Sequence, residues 1–373
     1  MRLSSANAPS HTSGGSAKRL PPNCTFPYST MQARSTSSLR SKIYGGLYGQ
    51  ALGDAFGMPA LLSPAQTRAR FGQIAHFIPA PDDHPVHGGL PAGRITDDTE
   101  QAIWLAREII RAGGVTLEGT ARALLSWYDA IGGDACPFVG PSTRRGIAKI
   151  RAGIDLRHSG LGGDTNGAAM RASVVGLIHP GDVEAAARDA ALTALPTHNT
   201  HVACAAAAAV AGAVACALRP DAELRDILAA SITAAQIGEK LGAPALGASV
   251  ARRIELAISL ARDEIGDDRS RLQAIYDLIG TGLPASEATP AAMGVVALAD
   301  GDPMRAAMLA AELSGDADTI GAMACAVCGA WRGIEAIPIE MRQALRDANP
   351  DYDFDAVAEG LLQVALQASS KPA

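Results

Sequence analysis

Residues 202–218 have the sequence VACAAAAAVAGAVACAL, an alanine-rich run without a charged residue. The run is short for a bilayer span and alanine is only weakly apolar, so it predicts a helix buried in a protein and not a membrane helix. Small side chains let neighbouring helices approach closely, which suits the centre of a helical core. The stretch therefore indicates a soluble protein that is built from helices.

Helix signals on both sides of this run agree with it. Asp302-Pro303 is typical of a helix start, because aspartate can cap a helix and proline fits its first position. Asp182 can cap another helix, which Pro196 is expected to close. Strands are disfavoured, since alternating Val, Ile and Thr runs are nearly absent and aromatic residues make up only 4% of the chain. We predict an all-α bundle with helices over 183–195, 202–218, 221–236, 244–263 and 304–313.

Composition limits the organisation and the partners. It stays even over 42–367, which predicts one large helical domain. Residues 1–41 are rich in Ser, Thr, Pro, Ala and Arg without the apolar segment of a signal peptide, so we expect a disordered extension that leaves the start, Met1 or Met31, open. We expect 368–373 to be a tail. The net charge of −6 provides no basic surface for nucleic acid, so the expected partner is a protein or small molecule in the cytoplasm.

Four loops rich in glycine and proline are long enough to carry function. In one of them His84 and His87 are interpreted as surface residues. Trp127 and Tyr128 can stack on an adenine, although aromatic residues on an amphipathic helix belong more often to a core. The six cysteines are expected to be core residues, because the chain lacks a secretory signal and a complete set of zinc ligands. The loops cover 79–93, 132–146, 158–166 and 280–290.

The first candidate for chemistry is Thr96-Asp97-Asp98-Thr99, in a loop that enters a helix. Adjacent aspartates concentrate negative charge, which needs a cation or a helix N-terminus for compensation. Mg²⁺ prefers oxygen ligands such as these. The alternative is a simple helix cap formed by Thr96 or Asp97, and this segment alone does not decide between the two.

A second cluster, Asp316-Ala317-Asp318-Thr319, follows Gly315 and has the same character. A glycine turn precedes two carboxylates and a hydroxyl group, which then open an apolar helix. A helix cap accounts for one of these aspartates but not for both. Two such clusters, each at a helix start, favour one shared metal site over two unrelated caps.

A third segment, 162–171, is a glycine turn that leads into a helix, where backbone N–H groups can receive phosphate oxygens. A plain helix start is the alternative. His198 and His201 flank the two residues before the alanine-rich run. They either hold a diphosphate or ribose, or cap that helix.

Taken in order, these motifs resemble the ADP-ribosylglycohydrolase family, which includes the dinitrogenase-reductase-activating glycohydrolases. Each motif alone is unspecific, but their order and wide spacing are typical of the family. The motifs are Gly49-Gln50-Ala51-Leu52-Gly53-Asp54-Ala55-Phe56-Gly57, Thr96-Asp97-Asp98-Thr99, Asn166-Gly167-Ala168-Ala169-Met170-Arg171, Thr197-His198 and Gly315-Asp316-Ala317-Asp318-Thr319-Ile320.

The resemblance implies a compact orthogonal multi-helix bundle that binds Mg²⁺, with two ions expected and Mn²⁺ able to substitute. It implies an enzyme that hydrolyses the glycosidic bond of ADP-ribose, or of a related ribosyl group, on an acceptor that we expect to be N-linked. Asp97 or Asp98 is the expected catalytic base, and Asp54 is expected to support the metal region by hydrogen bonds. The implied metal ligands are Thr96, Asp97, Asp98, Asp316, Asp318 and Thr319. The implied substrate-binding residues are Asp164, Asn166, Gly167, Met170, Arg171 and His198.

The chain departs from the family pattern at two places. Residues 58–62 are MPALL, without the catalytic glutamate that seryl-ADP-ribose hydrolases of the family carry there, which argues against cleavage of an O-linked serine. The second cluster has alanine at 317, where threonine is commoner, but it keeps every charged ligand. Two other functions stay open: a non-catalytic ADP-ribose-binding or structural protein, like the lens crystallins of the family, and a hydrolase of a free nucleoside or other ribosyl metabolite.

Overall fold

The computed structural model describes residues 28–136, 138–264 and 266–369. Over these ranges the chain forms α-helices and two 3₁₀-helices, and strand pairing is limited to two isolated β-bridges, which confirms the all-α prediction. Within the same ranges no helix is both long and apolar enough to cross a bilayer. The α-helices are α1 (Tyr28–Gly57), α2 (Pro64–Phe71), α3 (Asp97–Ala112), α4 (Leu117–Ala130), α5 (Pro141–Arg151), α6 (Leu156–Ser159), α7 (Gly167–Met170), α8 (Ser173–Leu177), α9 (Val183–His198), α10 (His201–Ala217), α11 (Leu224–Glu239), α12 (Val250–Ala261), α13 (Asp268–Leu278), α14 (Ala285–Leu298), α15 (Pro303–Leu313), α16 (Ala317–Arg332), α17 (Ile339–Ala348) and α18 (Phe354–Ser369).

Helix α10 lies at the centre of the fold, as its sequence predicted. All its residues from Val202 to Ala217 are buried, and it packs against α9 and α11 along its length and against α7, α8, α14 and α16. Its N-cap is Thr200, whose hydroxyl group accepts a hydrogen bond from the backbone N–H of Ala203 at 3.2 Å. The alanine-rich run therefore forms the helix around which the other helices are arranged.

The most extensive helix pair, α1 and α16, meets through small residues spaced four apart on both helices. This spacing puts them on one face of each helix. A Cβ atom at Gly53 would lie 1.9 Å from the carbonyl oxygen of Gly321, so no side chain fits there. The backbones therefore touch, which brings the end of α1 beside the start of α16. The facing pairs are Gly45 with Gly329, Gly49 with Cys325, Gly53 with Gly321 and Gly57 with Ala317.

Several predicted boundaries are wrong. The predicted domain start at 42 lies inside α1, which begins at Tyr28, while 1–27 lie outside the described residues. Helix α9 does not close before Pro196 but continues to His198, with the proline inside its last turn, where it removes one backbone hydrogen bond. Helix α18 continues to Ser369, two residues into the predicted tail, and 370–373 lie outside the described residues.

Other boundaries moved because capping residues define them. Glu223 caps α11 through a capping box with Asp226, so this helix begins after the predicted start at 221. Helix α12 begins at Val250 because 244–249 form a loop. The predicted loops 132–146 and 280–290 contain the starts of α5 and α14. The prediction over 304–313 is confirmed by α15, whose N-cap Asp302 accepts a hydrogen bond from the backbone N–H of Arg305 at 2.9 Å.

The interpretation of the cysteines and of the two neighbouring aromatic residues as core is confirmed where the structure describes them. Trp127 and Tyr128 belong to a small hydrophobic cluster beside the main core, and the Trp127 indole N–H donates to the Glu100 carboxylate at 3.1 Å. Cys24 lies outside the described residues. The cysteines found free and buried are Cys136, Cys204, Cys216, Cys325 and Cys328.

Candidate active site

A cavity of about 660 Å³ opens where α1 ends and where α3, α7 and α16 begin. Its lining combines two kinds of side chain. The acidic part consists of Asp97, Asp98, Asp316, Asp318 and Glu287, and the apolar part includes Met58, Leu62, Val86, Phe138 and Tyr276. The two acidic clusters, separated by more than two hundred residues in the sequence, therefore share one cavity, as predicted.

The first cluster is organised from beneath by Asp54 of α1. This carboxylate is fully buried and accepts hydrogen bonds from the backbone N–H groups of Thr96, at 3.0 Å, and Thr99, at 3.1 Å. It also accepts from the Thr99 hydroxyl group at 2.6 Å, and the Thr96 hydroxyl oxygen lies 2.9 Å from it. Asp54 thus fixes the start of α3, and it does not line the cavity, which fits its predicted supporting role.

Thr96 is the N-cap of α3, so capping does not occupy either aspartate of the first cluster. The Asp97 side chain accepts a hydrogen bond from the Gln101 amide at 3.3 Å. Asp98 is 2% exposed, and its Oδ1 atom is buried without a hydrogen-bond partner in the described chain. A buried carboxylate oxygen without a partner is unfavourable and calls for a cation or a proton.

The second cluster is held by groups from other segments. The Asp316 backbone N–H donates to the Thr281 carbonyl oxygen at 2.8 Å, and the Asn166 side-chain amide donates to the Asp316 carboxylate. Although Asp316 is the N-cap residue of α16, its side chain makes no capping hydrogen bond. The Asp318 carboxylate lies 2.8 Å from His87 Nε2. Both carboxylates of this cluster therefore face the cavity and not their own helix.

The interpretation of His84 and His87 as surface residues is wrong. His87 is only 6% exposed, lines the cavity and forms the contact with Asp318. His84 stacks on it with ring centroids 5.3 Å apart, and its Nδ1 atom accepts the His87 backbone N–H at 2.9 Å. The loop folds back over the second cluster because the acidic pocket attracts the imidazole. The sequence of this loop, which contains several prolines and aspartates, did not indicate that it folds back onto the second cluster.

Burial and mutual repulsion disturb the protonation of the first cluster. Burial raises the pKa of Asp54 to about 7, although hydrogen bonds from Thr99 and Thr96 oppose the rise. Burial, together with the negative charge of Asp318, raises the pKa values of Asp97 and Asp98 well above the ordinary range for aspartate. These shifts show that the pocket holds more negative charge than its own donors compensate.

The two aspartates of the second cluster behave differently. Burial and the charge of Asp318 raise the pKa of Asp316 to about 7. Burial also acts on Asp318, but His87 outweighs it and holds the pKa of Asp318 below the ordinary value. The pKa of His87 is raised in turn, because Asp318 and its neighbours outweigh the burial of the ring. His87 thus offsets part of the negative charge of the four aspartates that line the cavity.

The donor set of the cavity fits a hard divalent cation. Its oxygens come from carboxylates and the Thr319 hydroxyl group, which Mg²⁺ and Mn²⁺ prefer, and Asp98 Oδ1 has no other partner. In the described chain no three acidic, histidine or cysteine side chains are arranged as a complete ligand set. Thr96 is buried and lies outside the lining, and its hydroxyl oxygen lies 3.0 Å from the Asp98 carboxylate, so its role as a metal ligand stays a prediction.

Asn166, Gly167 and Met170 of the third segment line the cavity, where they were expected. The backbone N–H of Asn166 is already bonded to the Leu283 carbonyl oxygen at 2.9 Å, so it is not free to receive a phosphate. Asp164 is exposed and outside the lining, and only its carbonyl oxygen has a partner nearby, the Ala285 N–H at 3.0 Å. The structure therefore separates Asp164 from its predicted group.

Arg171 and His198 were expected to bind substrate, but both are fully buried and neither lines the cavity. The Arg171 guanidinium donates to the Gln101 side chain at 3.0 Å and to the Thr197 hydroxyl group at 2.9 Å. His198 bonds to the Thr165 hydroxyl group at 3.0 Å, and its ring packs directly under Gly167. They support the floor of the cavity from inside the protein.

His201 does not cap the alanine-rich helix, because Thr200 does. Its Nδ1 atom accepts the backbone N–H of Ala245 at 3.1 Å, which ties the helix start to the loop that precedes α12. His201 lies outside the lining of the cavity. The prediction that this pair of histidines holds a diphosphate or ribose therefore finds no contact in the structure.

The sequence marked the loop between α13 and α14 as a candidate functional loop but did not indicate its contacts. Thr281 and Leu283 accept the backbone N–H groups of Asp316 and Asn166, so the loop joins the second cluster to the third segment. Glu287, on the first turn of α14, accepts the Gly282 N–H at 3.0 Å and lines the cavity. The glycines of this loop predicted a functional role, but nothing in the sequence indicated which segments the loop connects.

Comparisons with known proteins agree with the geometry. A family model described as ADP-ribosylglycohydrolase matches residues 35–370. The chain is 36% identical over 333 residues to the uncharacterized protein YegU of Escherichia coli (strain K12), covering 87% of this chain and 98% of YegU. It is 30% identical over 319 residues to an uncharacterized protein of Archaeoglobus fulgidus, covering 83% of this chain and 93% of that protein.

A solved structure shares the fold. It is described as an ADP-ribosylglycohydrolase-related protein complex and superposes with a TM-score of 0.62 at 22% sequence identity, covering 88% of this chain and 99% of its own. At this identity the likeness concerns the fold alone. It confirms the predicted bundle of the ADP-ribosylglycohydrolase type, and the family match confirms the resemblance that the ordered motifs indicated.

Proposed function

Because the chain belongs to the ADP-ribosylglycohydrolase family, we propose that it is a magnesium-dependent hydrolase of a glycosidic bond to ADP-ribose or a related ribosyl group. The observation that carries the proposal is the acidic floor of the 660 Å³ cavity, assembled from two helix starts. Its volume lies within the range of about 300–1,000 Å³ that is common for small-molecule sites. The proposed substrate is an ADP-ribosylated protein or a small ADP-ribosyl conjugate.

Asp97, Asp98, Asp316, Asp318 and Thr319 would hold the metal, and we propose two ions. When bound, Mg²⁺ supplies positive charge that offsets the carboxylates and orients ribose hydroxyl groups. Mn²⁺ has the same preference for oxygen ligands and is expected to substitute. Asn166 and His87 would keep Asp316 and Asp318 in place through their hydrogen bonds.

Asp97 and Asp98 are the candidates for the catalytic base that takes a proton from the attacking water. Both lie in the lining beside the proposed metal, where a carboxylate is placed to accept a proton from water. The anomeric carbon gains positive charge as its bond to the acceptor breaks, and nearby carboxylates stabilise that charge. The acidic floor can therefore provide both the base that accepts the proton of the water and the negative charge that stabilises the anomeric carbon.

The acceptor is proposed to be N-linked, such as an arginine side chain. Met58, Ala60 and Leu62 line the cavity, so the segment that lacks the glutamate of seryl-ADP-ribose hydrolases contributes only apolar surface. Together with Val86 and Phe138 it forms a wall that can exclude water and pack against an uncharged ring. No carboxylate of this segment is available to assist departure of a serine oxygen.

The test is a substrate panel with purified full-length protein and Mg²⁺. It contains arginine-linked and serine-linked ADP-ribosyl peptides, a small ADP-ribosyl conjugate and free nucleosides, and release of ADP-ribose or ribose is measured by chromatography. We expect release from the arginine-linked substrate, its loss in EDTA, and its recovery with Mg²⁺ or Mn²⁺. Asp98→Asn is the inactive control, and Asp155→Asn, at an exposed site outside the cavity, is the matched active control.

Each other pattern of results points elsewhere. If only nucleosides are cleaved, the proposed metal dependence stands, but the substrate is a free nucleoside and not an ADP-ribosyl conjugate. Tight calorimetric binding of ADP-ribose without turnover of any substrate would make the protein a non-catalytic binder. Equal activity in EDTA and in Mg²⁺ would contradict the proposed metal dependence.

A further inference from the structure

A second cavity, of about 400 Å³, lies between α1, α17 and α18. It shares no lining residue with the candidate active site. Arginine and tyrosine dominate its lining, which contrasts with the acidic floor of the first cavity. The lining residues are Arg40, Tyr44, Tyr48, Ile334, Arg342, Arg346 and Asp355.

Two of its arginines are held in place by tyrosines. Arg346 donates to the Tyr48 hydroxyl oxygen at 2.9 Å, and that hydroxyl group donates to the Asp355 carboxylate at 2.8 Å. Arg40 donates to the Tyr44 hydroxyl oxygen at 3.1 Å and forms an ion pair with Glu359, at 2.9 Å. Their guanidinium groups are therefore pre-positioned, and each is partly neutralised.

Arg342 differs from both of them. Its backbone N–H donates to the Pro338 carbonyl oxygen at 3.1 Å, but its side chain has no hydrogen-bond or ion-pair partner in the described chain, and its Nε atom is buried without an acceptor. Three guanidinium groups thus share two carboxylates, Asp355 of the lining and Glu359 beside it, which pairs with Arg40. Burying an unsatisfied donor of a charged group is unfavourable, so the cavity lacks an acceptor that carries negative charge.

We propose that this cavity binds the phosphate group of a small phosphorylated molecule, with Arg342 as its main contact. Guanidinium groups match phosphate oxygens through paired hydrogen bonds, and a phosphate can accept from several arginines at once. A volume of about 400 Å³ leaves space beside the phosphate for the rest of a small molecule. The proposed binding site is independent of the proposed hydrolysis.

Isothermal titration calorimetry of the full chain with inorganic phosphate and with AMP tests this site. We expect Arg342→Met to weaken binding at least tenfold and Arg342→Lys, which keeps the charge but not the paired donors, to weaken it less. Arg188→Met is the control, because Arg188 is exposed and pairs only with Glu184 on its own helix. Melting curves check that the variants stay folded.

Comparing phosphate with AMP also shows whether the cavity binds a free phosphate ion or a larger phosphorylated molecule. Tighter binding of AMP than of phosphate, with both lost in Arg342→Met, supports a phosphorylated small molecule. Equal binding of the two assigns the cavity to the phosphate group alone and overturns the larger ligand. Unchanged affinities in Arg342→Met, or a loss in Arg188→Met as large as in Arg342→Met, would overturn the site itself. Because Arg342 lies outside the first cavity, the difference between wild type and Arg342→Met reports on the second cavity alone, so failure here leaves the hydrolase proposal untouched.

Discussion

The two acidic clusters look alike in the sequence but are supported in different ways. The first depends on one buried carboxylate, Asp54, which collects backbone and hydroxyl donors from Thr96 and Thr99. The second depends on separate segments, because Thr281, Asn166 and His87 each contribute one contact. The first cluster is thus part of the helical core, whereas the second is held by loops around the cavity.

This difference has a consequence for mutations. Substitutions beneath the first cluster should lower the stability of the fold, since α1 and α3 meet there. Substitutions around the second cluster should change metal binding and activity without lowering the stability of the core. Substitutions of the acidic groups themselves should remove activity at both clusters, because both face the same cavity.

The largest effect is expected where the two clusters are equivalent. Asp98→Asn and Asp316→Asn should each lower the rate of hydrolysis about 100-fold or more, because each removes charge that the reaction needs. In EDTA neither variant should melt earlier than the wild type, since each removes one of several repelling buried carboxylates. Steady-state kinetics and calorimetric melting measure both effects, and a variant that keeps full activity would exclude its cluster from the site.

Asp54→Ala should show the difference in support between the two clusters, because we expect it to lower the stability of the fold. It leaves two buried N–H groups and the Thr99 hydroxyl group without an acceptor. Each such group costs about 1–3 kcal/mol, so we expect the free energy of unfolding in excess Mg²⁺ to fall by about 3 kcal/mol or more. Urea denaturation measures it, with His87→Ala as the comparison at the second cluster. Equal losses in the two variants would contradict the proposed difference in support.

His87→Ala should act on metal binding instead. Groups that orient metal ligands typically contribute about 10- to 100-fold in metal affinity, so we expect Mg²⁺ to bind about tenfold more weakly. The matched control is His158→Ala, because His158 is exposed and contacts only Asp155 on its own turn. Titration calorimetry with Mg²⁺ gives the affinities. If both alanine variants bind Mg²⁺ like the wild type, the contact between His87 and Asp318 does not support the ion.

The sequence predicted the acidic groups of the cavity and one of their supports, Asp54, but not the other groups that hold them. Helix starts and acidic clusters are local patterns, so Thr96–Thr99 and Asp316–Thr319 could be recognised without a structure. The contacts of His87 and Glu287 depend on where loops return, which local patterns do not encode. Arg171 and His198 matched a family motif and were assigned to the substrate, yet burial, which a motif does not report, places them beneath the cavity.

The smallest predicted effect concerns the loop that joins the second cluster to Asn166. Glu287 anchors this loop by accepting the Gly282 N–H, so Glu287→Ala removes one hydrogen bond between neighbouring segments. A net loss of about 1 kcal/mol corresponds to roughly fivefold weaker Mg²⁺ binding. Glu287→Gln keeps an acceptor oxygen and should restore both the Mg²⁺ affinity and the activity, whereas a role for the Glu287 charge in catalysis would leave the activity low. If the glutamine variant binds Mg²⁺ normally but loses activity, Glu287 acts on the substrate, and the second cluster needs less support from the loop than its hydrogen bonds suggest.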